Sequence, residues 1–278
     1  RLGDVAHDKQ LTLLNLPAAY WHDWVSQIVG QPSAIPPTLR LMVVGSEKVL
    51  PQRLAEWQAI APPHVRWLNA YGPTETTITA TLFEPATTLP HTTAVPIGKP
   101  IANVTAHVLD GSLNLVPNGI IGELYLGGAG VALGYLNRPE QTAAAFVACP
   151  RTGDSLYKTG DLVRRLPDGN LTFEGRADNQ VKVRGFRIEL GEIEAALRQH
   201  PQLTDCLVLP HENKDGITQL TGYCVSPNGD LDAASLRTFL QASLPSYMIP
   251  SRFVTLEAFP LTASGKLNRR ALHQPDDG

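Results

Sequence analysis

Several features that would set the class of this chain at once are missing. No apolar run reaches the roughly 20 residues that a helix needs to cross a bilayer, and the opening RLGDVAHDKQ has no signal-peptide architecture. It also lacks an initiating methionine, so the segment reads as an internal piece of a longer protein. Cysteine is scarce: Cys149, Cys206 and Cys224 form an odd set without CxxC or Cys/His spacing. That argues against a disulfide frame or a zinc site and for reduced thiols in a cytoplasmic protein. Basic charge is not in excess, since the formal charge is -3 with acids and bases interspersed. Nucleic acid and membrane are therefore not expected partners. No repeat or low-complexity tract appears, and the glycine-rich stretches fit neither GxxxxGK[ST] nor GxGxxG opening a helix.

What is present is a chain of 278 residues, 43% hydrophobic and 18% charged, long enough for two domains with real cores. LRLMVVG (39–45) is a short continuous apolar run ending in glycine, as expected of a parallel strand covered on both faces. LPQRLAEWQAI (50–60) places Pro51 where a first helical turn tolerates it and spaces Leu54, Trp57 and Gln58 as on one helical face. VRWLNAY is the next strand, which completes β-α-β and puts GPTE at a strand's carboxyl end, the edge where open α/β sheets bind ligands. After Pro85 short alternating runs take over: VTAHVLD, GSLNLVPNG, IGELYLGG and LVRRLPDGNLTFEG. They predict strands and hairpins of a small β-barrel or twisted antiparallel sheet, with Pro167 to Asn170 as a turn. A helix is expected to begin near Pro139. From Arg176 the pattern is mixed: a strand QVKVRGFRIE with Gly185 marking a bulge or close approach, a helix GEIEAALRQH, a hairpin DCLVLPHENKDGITQLTGYCVS, and a helix capped by Asp232. The fold class is thus α/β and α+β. A part of a parallel sheet (1–85) is followed by a β-barrel-like subdomain (86–177) and a separate α+β domain (178–278).

The chemistry-bearing residues are individually ambiguous. NAYGPTETT offers an aromatic ring for a base, hydroxyls for phosphate, and a carboxylate for Mg²⁺, yet Gly-Pro followed by Thr-Glu is also an ordinary turn and cap. Asp161 behind a glycine can accept both hydroxyls of a ribose, with Arg176 adding a contact, or be a turn residue beside a surface ion pair. Lys266 on a Ser-Gly turn can be a solvated lysine or a catalytic cation on a mobile loop.

Their order decides between these readings. NAYGPTETT, GELYLGGAGVALGYLNRPEQTAAAF, YKTGDLVRRLPDGNLTFEGRADNQVKVRGFRIELGEIEAAL, LPSYMIPSRF and LTASGKLNRR, in this succession, closely resemble the adenylation domains of non-ribosomal peptide synthetases, within the adenylate-forming superfamily. The likeness runs from about Leu11 to Arg270. It implies activation of a carboxylic acid with ATP as an acyl-adenylate, loss of pyrophosphate, and transfer to the phosphopantetheine thiol of a carrier protein. By motif position, Asn69 and Tyr71 would hold adenine with Gly45 beside it, Thr74 the phosphate, Glu75 the Mg²⁺, and Asp161 with Arg176 the ribose. Lys266 would stabilise charge developing in the reaction, forming the catalytic set with Glu75 and Thr74. Asp178 would be the hinge about which the small domain rotates, and Gly185 would line the pantetheine tunnel. Asn15, Met42, Val44, Ala70 and Ile78 would line the acyl pocket, whose apolar bias favours a hydrophobic amino acid; strand core is the other expectation for Met42 and Val44, because alternate residues face opposite sides.

The sequence departs from that family in one respect. No SGTTGxPKG phosphate loop occurs, nor the earlier segment whose aspartate grips an α-amino group, so the chain reads as the second half of such a domain, needing the missing N-terminal half. Three alternatives stay open: an inactive fragment or carrier-docking module, an acyl-CoA synthetase, and a domain for keto, hydroxy or aryl acids. A downstream carrier domain and a small activator protein are possible partners.

Overall fold

The computed structural model describes residues 2–85, 94–178, 180–183, 185–212, 218–226, 231–262 and 267–272. It divides into two compact units, Arg1–Asp178 and Asn179–Gly278.

The first unit opens with helix α1 (Leu2–Asp8) and strand β1 (Leu13–Pro17), followed by helix α2 (Ala18–Ile28), strand β2 (Leu41–Gly45), helix α3 (Pro51–Ile60) and strand β3 (Arg66–Tyr71). These strands are parallel, in the order β1-β2-β3. Both connecting helices carry their apolar stripe toward the same side. Trp21, Trp24, Val25 and Ile28 of α2 meet Leu54 and Trp57 of α3 over Leu14, Met42, Val44 and Trp67 of the strands. The indoles of Trp21, Trp24, Trp57 and Trp67 interlock at 5.5–6.2 Å in tilted or edge-on pairs, a geometry that suits the charge distribution of aromatic rings. Strand β4 (Thr81–Phe83) extends the sheet antiparallel to β3, and β5 (Lys99–Pro100) pairs antiparallel with β4.

The second sheet of this unit is antiparallel. Its strands are β6 (Val104–Leu109), β7 (Ile121–Gly128), β8 (Phe146–Ala148), β9 (Ser155–Arg165) and β10 (Leu171–Arg176), with helix α4 (Pro139–Ala145) before β8. β9 is central, with β7 and β10 along it and β8 pairing it as well. The β9–β10 turn falls where Pro167 to Asn170 predicts it, with the Asp168 carboxylate accepting from the Asn170 N–H at 3.0 Å. GSLNLVPNG differs from its expected strand. The Asp110 carboxylate accepts from the backbone N–H groups of Ser112 and Asn114, local bonds that compete with a ladder, leaving only an isolated Leu109–Leu115 bridge.

The second unit begins with strands β11 (Gln180–Val183) and β12 (Phe186–Glu189), paired antiparallel with Val183 opposite Phe186. The expected single strand is therefore a hairpin, and Gly185, at φ +82°, lies in its turn, where a left-handed backbone is needed. Helix α5 (Leu190–Leu197), strands β13 (Asp205–Glu212) and β14 (Thr218–Val225), helix α6 (Ala233–Gln241) and strand β15 (Arg252–Leu256) complete it. Asp232 caps α6 as expected, accepting from the N–H groups of Ala234 and Ser235 at 3.1 Å. The core holds Ile188, Ile193, Leu197, Val208, Leu236 and Leu240, with Cys206 directly opposite Cys224 across β13–β14. All the cysteines are buried free thiols. Among the described residues no helix is long and apolar enough to cross a membrane.

Candidate active site

The polar residues singled out in the first unit gather beyond the carboxyl end of β3. After Tyr71 the chain turns through Gly72 and Pro73 into a 3-10 turn, Thr74–Thr76. The turn closes on itself: Thr77 N–H donates to the Thr74 carbonyl at 3.1 Å, and Ala80 N–H returns to the Tyr71 carbonyl at 2.8 Å. Thr77 and Ile78 both sit in the left-handed region, at φ +62° and +71°. For a β-branched residue such as Ile78 this backbone is strained, and nothing is gained by burial there, since Ile78 is 76% exposed. Thr74 is exposed at the turn, while Glu75 is only 8% exposed.

Glu75 is held from a distant segment. The Tyr135 hydroxyl donates to its Oε1 at 2.6 Å, and its main-chain carbonyl accepts from Ala132 N–H at 2.8 Å. Burial, then the hydrogen bonds to Glu75 and Tyr157, raise the Tyr135 hydroxyl well above the ordinary tyrosine range. It therefore keeps its proton and remains a donor. Sequence reasoning missed Tyr135 because its segment reads as glycine-rich connection; a lone aromatic inside GYLNRP was the only available signal.

A second cluster surrounds Asp161 of β9, which is 4% exposed. Tyr71 donates its hydroxyl to Asp161 Oδ2, and Arg176 Nη1 donates to Oδ1. Burial, followed by the Asp161 charge, pushes the Tyr71 hydroxyl far up, so it too stays protonated. Arg176 reaches Asp178 in a fork, Nε to Oδ1 and Nη2 to Oδ2, each 2.6 Å, and also donates to the Thr159 carbonyl at 3.1 Å. Gly160, at φ +74°, makes room: a Cβ there would lie 2.5 Å from Asp178 Oδ2 and 2.7 Å from Arg176 Nη2. Tyr71, Asp161, Arg176 and Asp178 are thus brought together, and the first of them ties the end of the parallel sheet to the antiparallel one.

Other expected site residues are not gathered with them. Asn69 is buried and donates Nδ2 to the Pro96 carbonyl at 2.7 Å. That bond anchors it to the segment preceding β5. Register also splits the expected acyl pocket. Leu14 pairs with Met42 and Asn15 with Val43, while Gly45 pairs with Ala70. Neighbours in register share a face, so Met42 and Val44, both fully buried in the tryptophan-rich core, look away from the face that carries Asn15 and Ala70. Met42 and Val44 occupy the strand-core position that is the other expectation for them. Lys266 lies outside the described residues.

The donor set suits a hard cation. Glu75 supplies a carboxylate in the turn that also carries Thr74, and Mg²⁺ is commonly held through one or two carboxylates together with substrate phosphates. Among the described residues no cluster of three or more His, Cys, Asp or Glu occurs that would hold a metal through protein groups by themselves.

Comparison with known families settles the class. Residues 2–136 match the model for the AMP-binding enzyme family, and residues 192–266 match that for the AMP-binding enzyme C-terminal domain. The chain belongs to the AMP-binding enzyme family. Gramicidin S synthase 2 of Brevibacillus brevis is 46% identical over 240 residues, 86% of this chain and 5% of that protein. Tyrocidine synthase 3 of Brevibacillus parabrevis is 42% identical over 276 residues, 99% of this chain and 4% of that protein. Among solved structures, that of holo-PA1221, described as a non-ribosomal peptide synthetase protein containing adenylation and carrier domains and bound to a vinylsulfonamide inhibitor, superposes with a TM-score of 0.84. Its identity is 30%, covering 98% of this chain and 46% of that one. Within the AMP-binding family the likeness is to the adenylation domains of non-ribosomal peptide synthetases, and this chain spans only part of such a domain and a small share of the curated relatives.

Proposed function

We propose that this chain is the metal- and ribose-handling part of a domain that activates a carboxylic acid, a hydrophobic amino acid, with ATP and passes it to the phosphopantetheine thiol of a carrier protein in the cytoplasm. In the first step a carboxylate oxygen attacks the α-phosphorus, the bond to the β-phosphate oxygen breaks, and pyrophosphate leaves. In the second the thiolate attacks the acyl carbon and AMP leaves. The observation that carries this reading is the buried Tyr71–Asp161–Arg176 chain beside the turn bearing Glu75.

In this reading Glu75, with Thr74, holds the Mg²⁺ that would neutralise phosphate charge. Asp161 accepts from the ribose hydroxyls. Both its oxygens already have protein donors, but a carboxylate offers about four acceptor sites, so ribose shares it with Tyr71 and Arg176. The tyrosine and the arginine fix the carboxylate for that purpose. Asn15 and Ala70, on the less covered sheet face, and the exposed Ile78 belong to the acyl side. Asp178 is the hinge, Gly185 a glycine of the pantetheine path, and Lys266 the cation that stabilises charge on the reacting phosphate and carboxylate.

The test is carboxylate-dependent ATP–pyrophosphate exchange by the protein with its complete adenylation domain, across hydrophobic amino acids and their keto and hydroxy analogues. Exchange with one class establishes adenylation and names the acid. Silence from a folded protein, with candidate activator proteins added, would move the assignment to a carrier-docking module. Lys266→Ala is expected to abolish exchange while leaving transfer of a preformed adenylate largely intact.

A further inference from the structure

We infer that Tyr135 is a positioning residue for Glu75, so that the segment 129–142 is a working part of the metal site. This rests on the assignment of Glu75 to Mg²⁺ above. Three ties join that segment to the turn: Tyr135 hydroxyl to Glu75 Oε1 at 2.6 Å, Ala132 N–H to the Glu75 carbonyl at 2.8 Å, and Thr77 hydroxyl to the Gly130 carbonyl at 2.8 Å. Two of them hold backbone; only the first fixes the direction of the carboxylate.

Tyr135 is itself fixed. Its N–H donates to the Thr142 hydroxyl at 2.9 Å, and its ring packs edge-on against Phe146 at 5.5 Å, which in turn packs on Tyr157 at 5.3 Å. A rigid ring carrying a hydroxyl pins one oxygen of the glutamate, restricting the rotamers its side chain can sample. Mg²⁺ tolerates little departure from octahedral geometry, and groups that orient a ligating carboxylate affect metal affinity strongly. Tyr135 touches neither nucleotide nor acid in this account and acts through Glu75 alone.

The probe is Mn²⁺ with α,β-methylene-ATP, followed by paramagnetic resonance on the complete adenylation domain. Tyr135→Phe removes one oxygen and keeps the ring. It is expected to weaken Mn²⁺ binding roughly tenfold and to raise the Mg²⁺ needed for half-maximal exchange by a similar factor, with the KM for the acid unchanged. In a Glu75→Gln background the same substitution is expected to add nothing. Thr142→Val, which loosens Tyr135 without touching its hydroxyl, gives a smaller loss and serves if Tyr135→Phe does not fold. Glu75→Gln weakening Mn²⁺ binding while Tyr135→Phe and Thr142→Val leave it intact would overturn the inference alone. Unchanged Mn²⁺ affinity in Glu75→Gln would overturn the metal assignment and the inference with it.

Discussion

The two faces of the parallel sheet are built to opposite ends. Under α2 and α3, Leu14, Met42, Val44 and Trp67 are closed off from solvent and interlocked with the tryptophans. On the reverse face Leu13 is 47% exposed, Asn15 is exposed, and Val43, Leu68 and Ala70 are half-buried. Beyond the carboxyl ends of the same strands the chain accepts strain at Thr77 and Ile78 and buries carboxylates that need partners. One face derives its stability from close packing; the rim and reverse face give up stability where ligand chemistry would need it. The distinction is physical: apolar packing gains from every buried contact, whereas a carboxylate is useful only while oriented and charged.

Substitutions can separate these regions. Trp21→Ala should cost about 3–5 kcal/mol of unfolding free energy in urea titration, the range for deleting a buried tryptophan; a loss below about 1 kcal/mol would show that the helical face is not the main store of stability. Arg176→Ala leaves Asp161 buried beside Tyr71 without its cation, and should cost about 3 kcal/mol while weakening nucleotide binding. Arg176→Lys is expected to recover little, because lysine cannot serve Asp161 and Asp178 through one fork. Stability retained in Arg176→Ala would mean the rim is not electrostatically closed. Ile78→Gly releases a strained left-handed residue that is mostly exposed, so it should raise stability by about 1 kcal/mol and lower exchange activity. Equal activity would remove the argument that the strain serves the site.

A pH-dependent effect concerns His22 on the helical side. Its Nε2 accepts from Leu50 N–H at 3.1 Å. Burial, and then the nearby Arg53 charge, lower its pKa to about 4 from an ordinary 6.5. Because the unfolded chain protonates first, stability is full above about pH 6.5, falls as pH drops toward 4, and then levels off on this account. Urea midpoints measured across that window should show the slope in the parent and a flatter profile in His22→Gln.

Much of this was legible in sequence. The apolar run before Gly45, the Pro51 helix start, the Asp168 turn and the Asp232 cap are local devices, each set by a few neighbouring residues, and they stand where expected. The hairpin around Gly185 and the Asp110 turn carry strand-like patterning, and alternating apolar residues do not reveal where a side chain or a glycine redirects the backbone. Met42 and Val44 show the other limit. Motif order places them near a pocket, while strand parity turns them into the core.

By itself, then, the sequence determined the family and marked candidate chemistry-bearing residues, because ordered motifs and period-two or period-3.6 patterning are properties of the chain. The tertiary structure alone decided that Tyr71 meets Asp161 and that Tyr135 meets Glu75, since these partners lie 90 and 60 residues apart and are joined only when two sheets pack. A buried carboxylate must find donors wherever the fold brings them, and no local rule encodes that distance.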